Sequence, residues 1–224
     1  MSNWFIRLFQ FKCVQLTNKG LEKLISIDPK RNSERDNYKL LIGTIIPRPI
    51  AFVTTESEDG IVNGAPFSYF NIVSSNPPMV SLAIQRPNDH LKDTARNIYR
   101  NRQFVVHIVD EENVAKINET AASIPATESE IELANLTLVQ SENVSVPGVK
   151  EAKVRMECRL IQAIPLGGEG PGSDLFIGEV VRFHVDEAIY EDGRIDPKGL
   201  KAVSRLAGSN YAAIGDIFSI ERPE

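Results

Sequence analysis

Residues 63–94, NGAPFSYFNIVSSNPPMVSLAIQRPNDHLKDT, hold the chain's densest gathering of turn formers, aromatics and anion-binding side chains. Asn63-Gly64 reads as a turn dipeptide. Residues 65–73 are strand-like, with Ser68 and Asn71 set among Phe67, Tyr69 and Phe70. Asn76-Pro77-Pro78 stops that strand, because proline fixes φ and brings no N–H. Residues 79–84, MVSLAI, read as a second, apolar strand. A helix is expected over residues 89–102, where Leu91, Ala95 and Ile98 recur at i, i+4 and i+7 and Asn88 or Asp89 is placed to cap it.

The same logic extends in both directions. Upstream, Pro47 and Pro49 exclude a helix across residues 45–50, and a strand follows at 51–55 with a turn at Asp59-Gly60. Downstream, residues 104–109 form a strand, and Val114, Ile117 and Ala121 make one apolar helical stripe. Residues 154–160 alternate, with Val154, Met156, Cys158 and Leu160 on one face and Arg155, Glu157 and Arg159 on the other. Cys158 is therefore a core residue. A long strand follows at 175–185, a turn at Asp192-Gly193 and a last short strand at 218–220. The glycine-rich loop 165–173 does not spell G-x-G-x-x-G and lacks the strand–turn–helix setting of a dinucleotide fingerprint. Roughly six to eight strands with only two clear helices disfavour a doubly wound sheet and favour a closed or split antiparallel β-barrel.

Composition removes several function classes. A net charge of −5 is unlike a nucleic-acid footprint. Cys13 and Cys158 form no C-x-x-C pair, which fits a reducing, cytoplasmic setting. The three histidines form no H-E-x-x-H pattern, so no metal site is expected. The apolar N-terminus is interrupted by Arg7 and Lys12, which argues against a signal peptide or a membrane span. Residues 1–35 read as an extension that packs on the domain or on a partner subunit, with a linker or short helix at 28–39; residues 36–224 read as the domain.

The chemistry gathers at the opening stretch. Lys92 and Thr94 fall in the first turn of the expected helix, where backbone N–H groups and the dipole favour a phosphate, and Arg86 adds a second cation. Taken locally, they read rather as an ordinary helix start with a solvated lysine. Polar residues between 63 and 70 need partners if buried. The pyrimidine edge of a flavin offers them, through the Ser68 hydroxyl and the backbone N–H groups of residues 65–69. The alternative is a barrel strand with a few edge polars. His107 and His184 read as structural, and His90, in the loop before the helix, lies nearest the pocket. No Ser/His/Asp, Cys/His or paired-carboxylate set is visible, as suits a site whose cofactor carries the reaction.

The ordered set PRPI, NGAPFSYF, NPP, KDT and a C-terminal SRLAGSNYA resembles the flavin reductase-like, FMN-binding split-barrel family, in its flavoredoxin-like branch, over about residues 36–222. The resemblance implies a mainly β fold, a split antiparallel barrel, and a homodimer with FMN at the subunit interface. It implies NAD(P)H-dependent reduction of flavin, with NADH or NADPH as hydride donor and a small-molecule flavin as acceptor. A monooxygenase or another redox protein is then the partner, and a non-catalytic FMN-bound electron carrier is the alternative. Carried over by position, Thr54, Asn63, Ala65, Pro66, Phe67 and Ser68 line the flavin, while Arg86, Lys92 and Thr94 hold its phosphate. Arg205 and Tyr211 approach from the C-terminal segment. His107 stands where relatives often carry Asn.

Overall fold

The computed structural model describes residues 24–87, 90–167 and 171–223. The readings of the N-terminal segment, of Cys13 and of a cap at Asn88 or Asp89 lie outside these residues.

Ser33 starts α1 (Glu34–Thr44): its hydroxyl accepts the Asp36 N–H, and Glu34 and Asp36 occupy the first turn. The short helix expected near 28–39 thus exists and runs on until the approach of Pro47 ends it. In order there follow β1 (Arg48–Pro49), β2 (Ala51–Glu56), β3 (Val62–Phe67), β4 (Phe70–Ser75), β5 (Pro78–Arg86), α2 (Asp93–Asn101) and β6 (Gln103–Ile108). Then come α3 (Val114–Glu119), α4 (Glu130–Leu133), β7 (Leu138–Val139), β8 (Gly148–Val149), β9 (Val154–Leu166) and β10 (Gly172–Val185). The chain ends in β11 (Tyr190–Glu191), β12 (Arg194–Ile195), α5 (Pro197–Leu200), β13 (Val203–Arg205) and β14 (Tyr211–Ala213). The last strand expected at 218–220 does not form; Phe218 and Ile220 lie exposed in extended chain.

Seven strands make one antiparallel sheet in the order β3-β2-β6-β9-β10-β5-β4. Its two edge strands, β3 and β4, are consecutive in the chain and separated only by Ser68 and Tyr69. The sheet therefore curls until its opposite edges meet at that bend. It does not close, because β3 and β4 share no ladder. The single strand expected over 65–73 is thus two strands, broken where the chain passes from one edge to the other. Inside the curl one apolar cluster gathers Ala51, Val53, Leu82, Ile84, Phe104, Val106, Cys158 and Phe176, with Ala95 and Ile98 of α2 packed against them.

Two local readings change for tertiary reasons. Asn63-Gly64 is not a turn but lies inside β3. A Cβ on Gly64 would sit 2.7 Å from the Phe52 ring, so glycine is there to admit its neighbours. Glu157 is buried like the residues flanking it, because residues 142–144 cross the outer face of β9 and direct their N–H groups at its carboxylate. Gly178 is fixed the same way, since a Cβ there would overlap the Phe104 ring. Gly178→Ala is expected to cost about 1–3 kcal/mol in urea unfolding through overpacking. An unchanged midpoint would show that Phe104 can step aside.

Candidate functional site

The bend at Ser68-Tyr69 forms the floor of an open groove of about 270 Å³. Its walls include Tyr38 and Ile42 of α1, Arg48 of β1, Gln85 of β5, Lys92 ahead of α2, Asn118 of α3, and Arg205 and Tyr211 of the C-terminal strands. The edge strand explains the bend's composition. The Gly64 N–H points off the ladder to the Glu130 carboxylate at 3.3 Å. Two residues on, Pro66 therefore stands where its missing N–H costs the sheet nothing.

None of the groove's described lining residues is acidic, whereas Arg48, Lys92 and Arg205 are all cationic. The Lys92 ammonium lies 5.9 Å from the centre of the Phe67 ring. The surrounding protein desolvates it and lowers its pKa, although the residue stays exposed. Lys92 also occupies the cap position of α2 with no side-chain cap bond. Among the described residues no side chain caps the first N–H groups of that helix.

Arg48 is only 6% exposed. It donates to the carbonyls of Ile42 (2.8 Å), Ile45 (2.6 Å) and Leu206 (2.9 Å), and its Nε lies 3.4 Å from the Ser68 hydroxyl. Ile42 and Ile45 carry carbonyls at the C-terminal end of α1, so Arg48 caps that helix while facing the groove. Sequence reading quoted this residue within PRPI without giving it a role; its signal was a lone cation between two prolines. Arg205 donates to the Tyr211 hydroxyl and, at 2.7 Å, to the Gly208 carbonyl, and stacks 4.6 Å over the Tyr211 ring. Tyr211 in turn donates to the Asn118 side chain at 2.8 Å.

Of the expected site residues, the groove brings together Pro66, Phe67, Ser68, Lys92, Arg205 and Tyr211. The others stand behind it. Thr54 is fully buried and donates to the Pro147 carbonyl at 2.7 Å. Asn63 donates to the Thr94 hydroxyl at 2.9 Å, which ties β3 to α2 and leaves Thr94 only 2% exposed. Ala65 is a ladder residue paired with Val53. Arg86 is drawn away by Asp174, 2.9 Å from its Nε, so the expected phosphate trio reduces to Lys92 on the groove wall. The same Asp174 accepts from Tyr99 at 2.7 Å, and burial with that bond pushes the Tyr99 pKa up to about 12.

The histidines take no part. The Nε2 of His107 accepts the Val149 N–H at 2.9 Å, which leaves the proton on Nδ1, 3.0 Å from the Phe52 carbonyl. Burial holds its pKa down to about 3, so it is a neutral bridge between β2 and β8. His184 binds Glu157 at 2.6 Å, and His90 is exposed and lies off the groove lining. Among the described residues no cluster suits a metal ion and no helix is long and apolar enough to cross a membrane.

Over residues 42–199 the sequence matches the family described as flavin reductase like domain. A curated relative, the uncharacterized protein YwrF of Bacillus subtilis (strain 168), is 52% identical over 195 residues, covering 85% of this chain and 95% of its own. The structure of nitrilotriacetate monooxygenase component B from Bacillus cereus superposes with a TM-score of 0.88 at 58% identity, over 89% of this chain and 100% of that one. That of 2-nitrobenzoate 2-nitroreductase NbaA from Pseudomonas fluorescens superposes with a TM-score of 0.81 at 28% identity, over 89% and 96%.

Proposed function

Because the chain belongs to the flavin reductase-like family, by its match over residues 42–199, we propose that it binds FMN in the groove at the Ser68-Tyr69 bend and reduces flavin with NADH or NADPH. One observation carries the reading: a groove with an aromatic floor and cationic walls, free of acidic side chains among its described lining, placed where the curled sheet stays open. The residues fit the group. Lys92 and the start of α2 would hold the phosphate. Pro66, Phe67 and Ser68 would meet the ring, and Arg205 and Tyr211 would flank it. Once bound, FMN would supply the hydride-transfer chemistry. The protein's own work is to orient the two partners and keep water from between them. Thr54, Asn63 and Thr94 contribute by fixing the frame.

The curled, unclosed sheet supports the split antiparallel barrel. Ile72 and Val73, exposed on the edge strand β4, support a homodimer whose second copy covers the groove's open side. The 58% identity to a monooxygenase component B supports a monooxygenase as the consumer of the reduced flavin. Purified protein mixed with FMN should keep a flavin absorption band after free FMN is removed by desalting, and should then oxidise NADH or NADPH with added FMN. Protein that binds FMN but turns over neither nicotinamide would be an electron carrier instead. Protein that never binds FMN would end both readings.

A further inference from the structure

The proposed function gives the FMN phosphate to Lys92 and leaves the groove's two arginines without an anion. β1 and β13 pair with Arg48 directly opposite Arg205, and both side chains line the groove. Like charges directly opposite on paired strands are destabilising. Arg48 is more than nine-tenths buried, yet it faces carbonyls and a hydroxyl, with no carboxylate bridged to it among the described residues. The end of α1 offers about half a negative charge. That offsets a fraction of one of two full positive charges. Arg205 spends two of its donors on Tyr211 and Gly208, and a guanidinium has five, so it keeps free N–H edges. The Ser68 hydroxyl stands beside them.

Lys92 is a separate centre. It rests against Phe67, whereas Arg48 reaches Ser68, the next residue along the bend. FMN carries one phosphate, and the groove carries two cationic centres. We propose that Arg48 and Arg205 form a second anion subsite, which takes the phosphate oxygens of the nicotinamide dinucleotide and not the phosphate of FMN. This rests on the flavin reductase reading and adds to it the group by which the second substrate is held. The Arg48–Arg205 pairing is thus a subsite whose mutual repulsion its anion relieves, and its two arginines act as binding residues.

The test uses the full chain saturated with FMN and titrated with NADP⁺, which binds without turnover, followed by calorimetry. Arg205→Gln is expected to weaken NADP⁺ binding by roughly ten- to hundredfold, the worth of a lost charge-assisted contact. The FMN dissociation constant, measured separately, should rise by less than that of NADP⁺, because Arg205 only flanks the FMN ring while Lys92 supplies the phosphate contact. Arg205→Lys should restore part of the loss, since charge without the fork is a weaker phosphate ligand. Inorganic pyrophosphate should compete with NADP⁺ and leave FMN in place. Equal weakening of FMN, unaltered NADP⁺ binding, or competition by benzoate with pyrophosphate silent would each overturn the assignment. Should wild-type protein bind no FMN, the functional reading fails by itself. Pyrophosphate titrated into wild type and Arg205→Gln then decides the subsite alone, with binding lost in the variant supporting it and equal binding refuting it.

Discussion

Lys92→Ala is expected to weaken FMN binding by about 1.5–3 kcal/mol, roughly ten- to hundredfold in Kd, and to leave the affinity for riboflavin unchanged. The comparison isolates the phosphate, which riboflavin lacks. The ammonium stands on the wall of a groove without acidic lining residues among those described, and at the start of a helix whose first N–H groups are uncapped. An arriving phosphate would therefore meet a cation and oriented donors together. Desolvation already lowers the Lys92 pKa. The charged form dominates below that lowered value, so FMN affinity should fall as pH rises through it, earlier than for a free lysine. Loss of riboflavin and FMN affinity in equal measure would move Lys92 from the phosphate to the ring.

The largest effect on stability is expected from Glu157→Ala, about 3–5 kcal/mol in urea unfolding, as for other buried charges stripped of their partners. The carboxylate has no exposed surface and accepts the N–H groups of Glu142 (2.7 Å), Asn143 (2.6 Å) and Val144 (3.1 Å), with His184 at 2.6 Å. Removing it orphans three donors at once. Burial works against its ionisation, but the bonds from Glu142, His184 and Asn143 outweigh burial and hold its pKa below 4.5. The stabilisation is therefore complete above the unfolded-state pKa and is lost as pH falls through the lower folded value. Wild type should lose this increment in acid while Glu157→Ala, already without it, should not. A variant that unfolds at the wild-type urea midpoint would show that residues 142–144 find other acceptors.

Glu157 also shows where sequence pattern stops being informative. Alternation over 154–160 put Val154, Met156, Cys158 and Leu160 inside, and they are buried. The same alternation sent Glu157 to solvent, because nothing within β9 announces that a loop fifteen residues upstream will cover its outer face. The place of Arg86 off the groove lining is as hard to read from sequence. Its partner Asp174 lies on β10, which joins β5 only when the sheet assembles. Asn63-Gly64 carries the residues of a turn, yet Gly64 answers a steric demand from Phe52 and Ile131. What the sequence did carry was chemistry tied to local geometry: the bend with its aromatics, the lysine before a helix, and the C-terminal Arg–Tyr pair. These are the expected residues that the groove gathers.

The bond from Arg48 to the Leu206 carbonyl spans 158 positions of sequence. All seven strands of the main sheet lie between residues 51 and 185, so the sheet and its apolar cluster need nothing from β13 or β14. The groove does, since Arg205, Leu206 and Tyr211 form one of its walls. Architecture and binding are therefore separable in time: a chain emerging from synthesis can complete the cluster inside the curl before the segment that finishes the groove has been made. Such a late, long-range closure separates being folded from being competent, and leaves the last strands to decide the second.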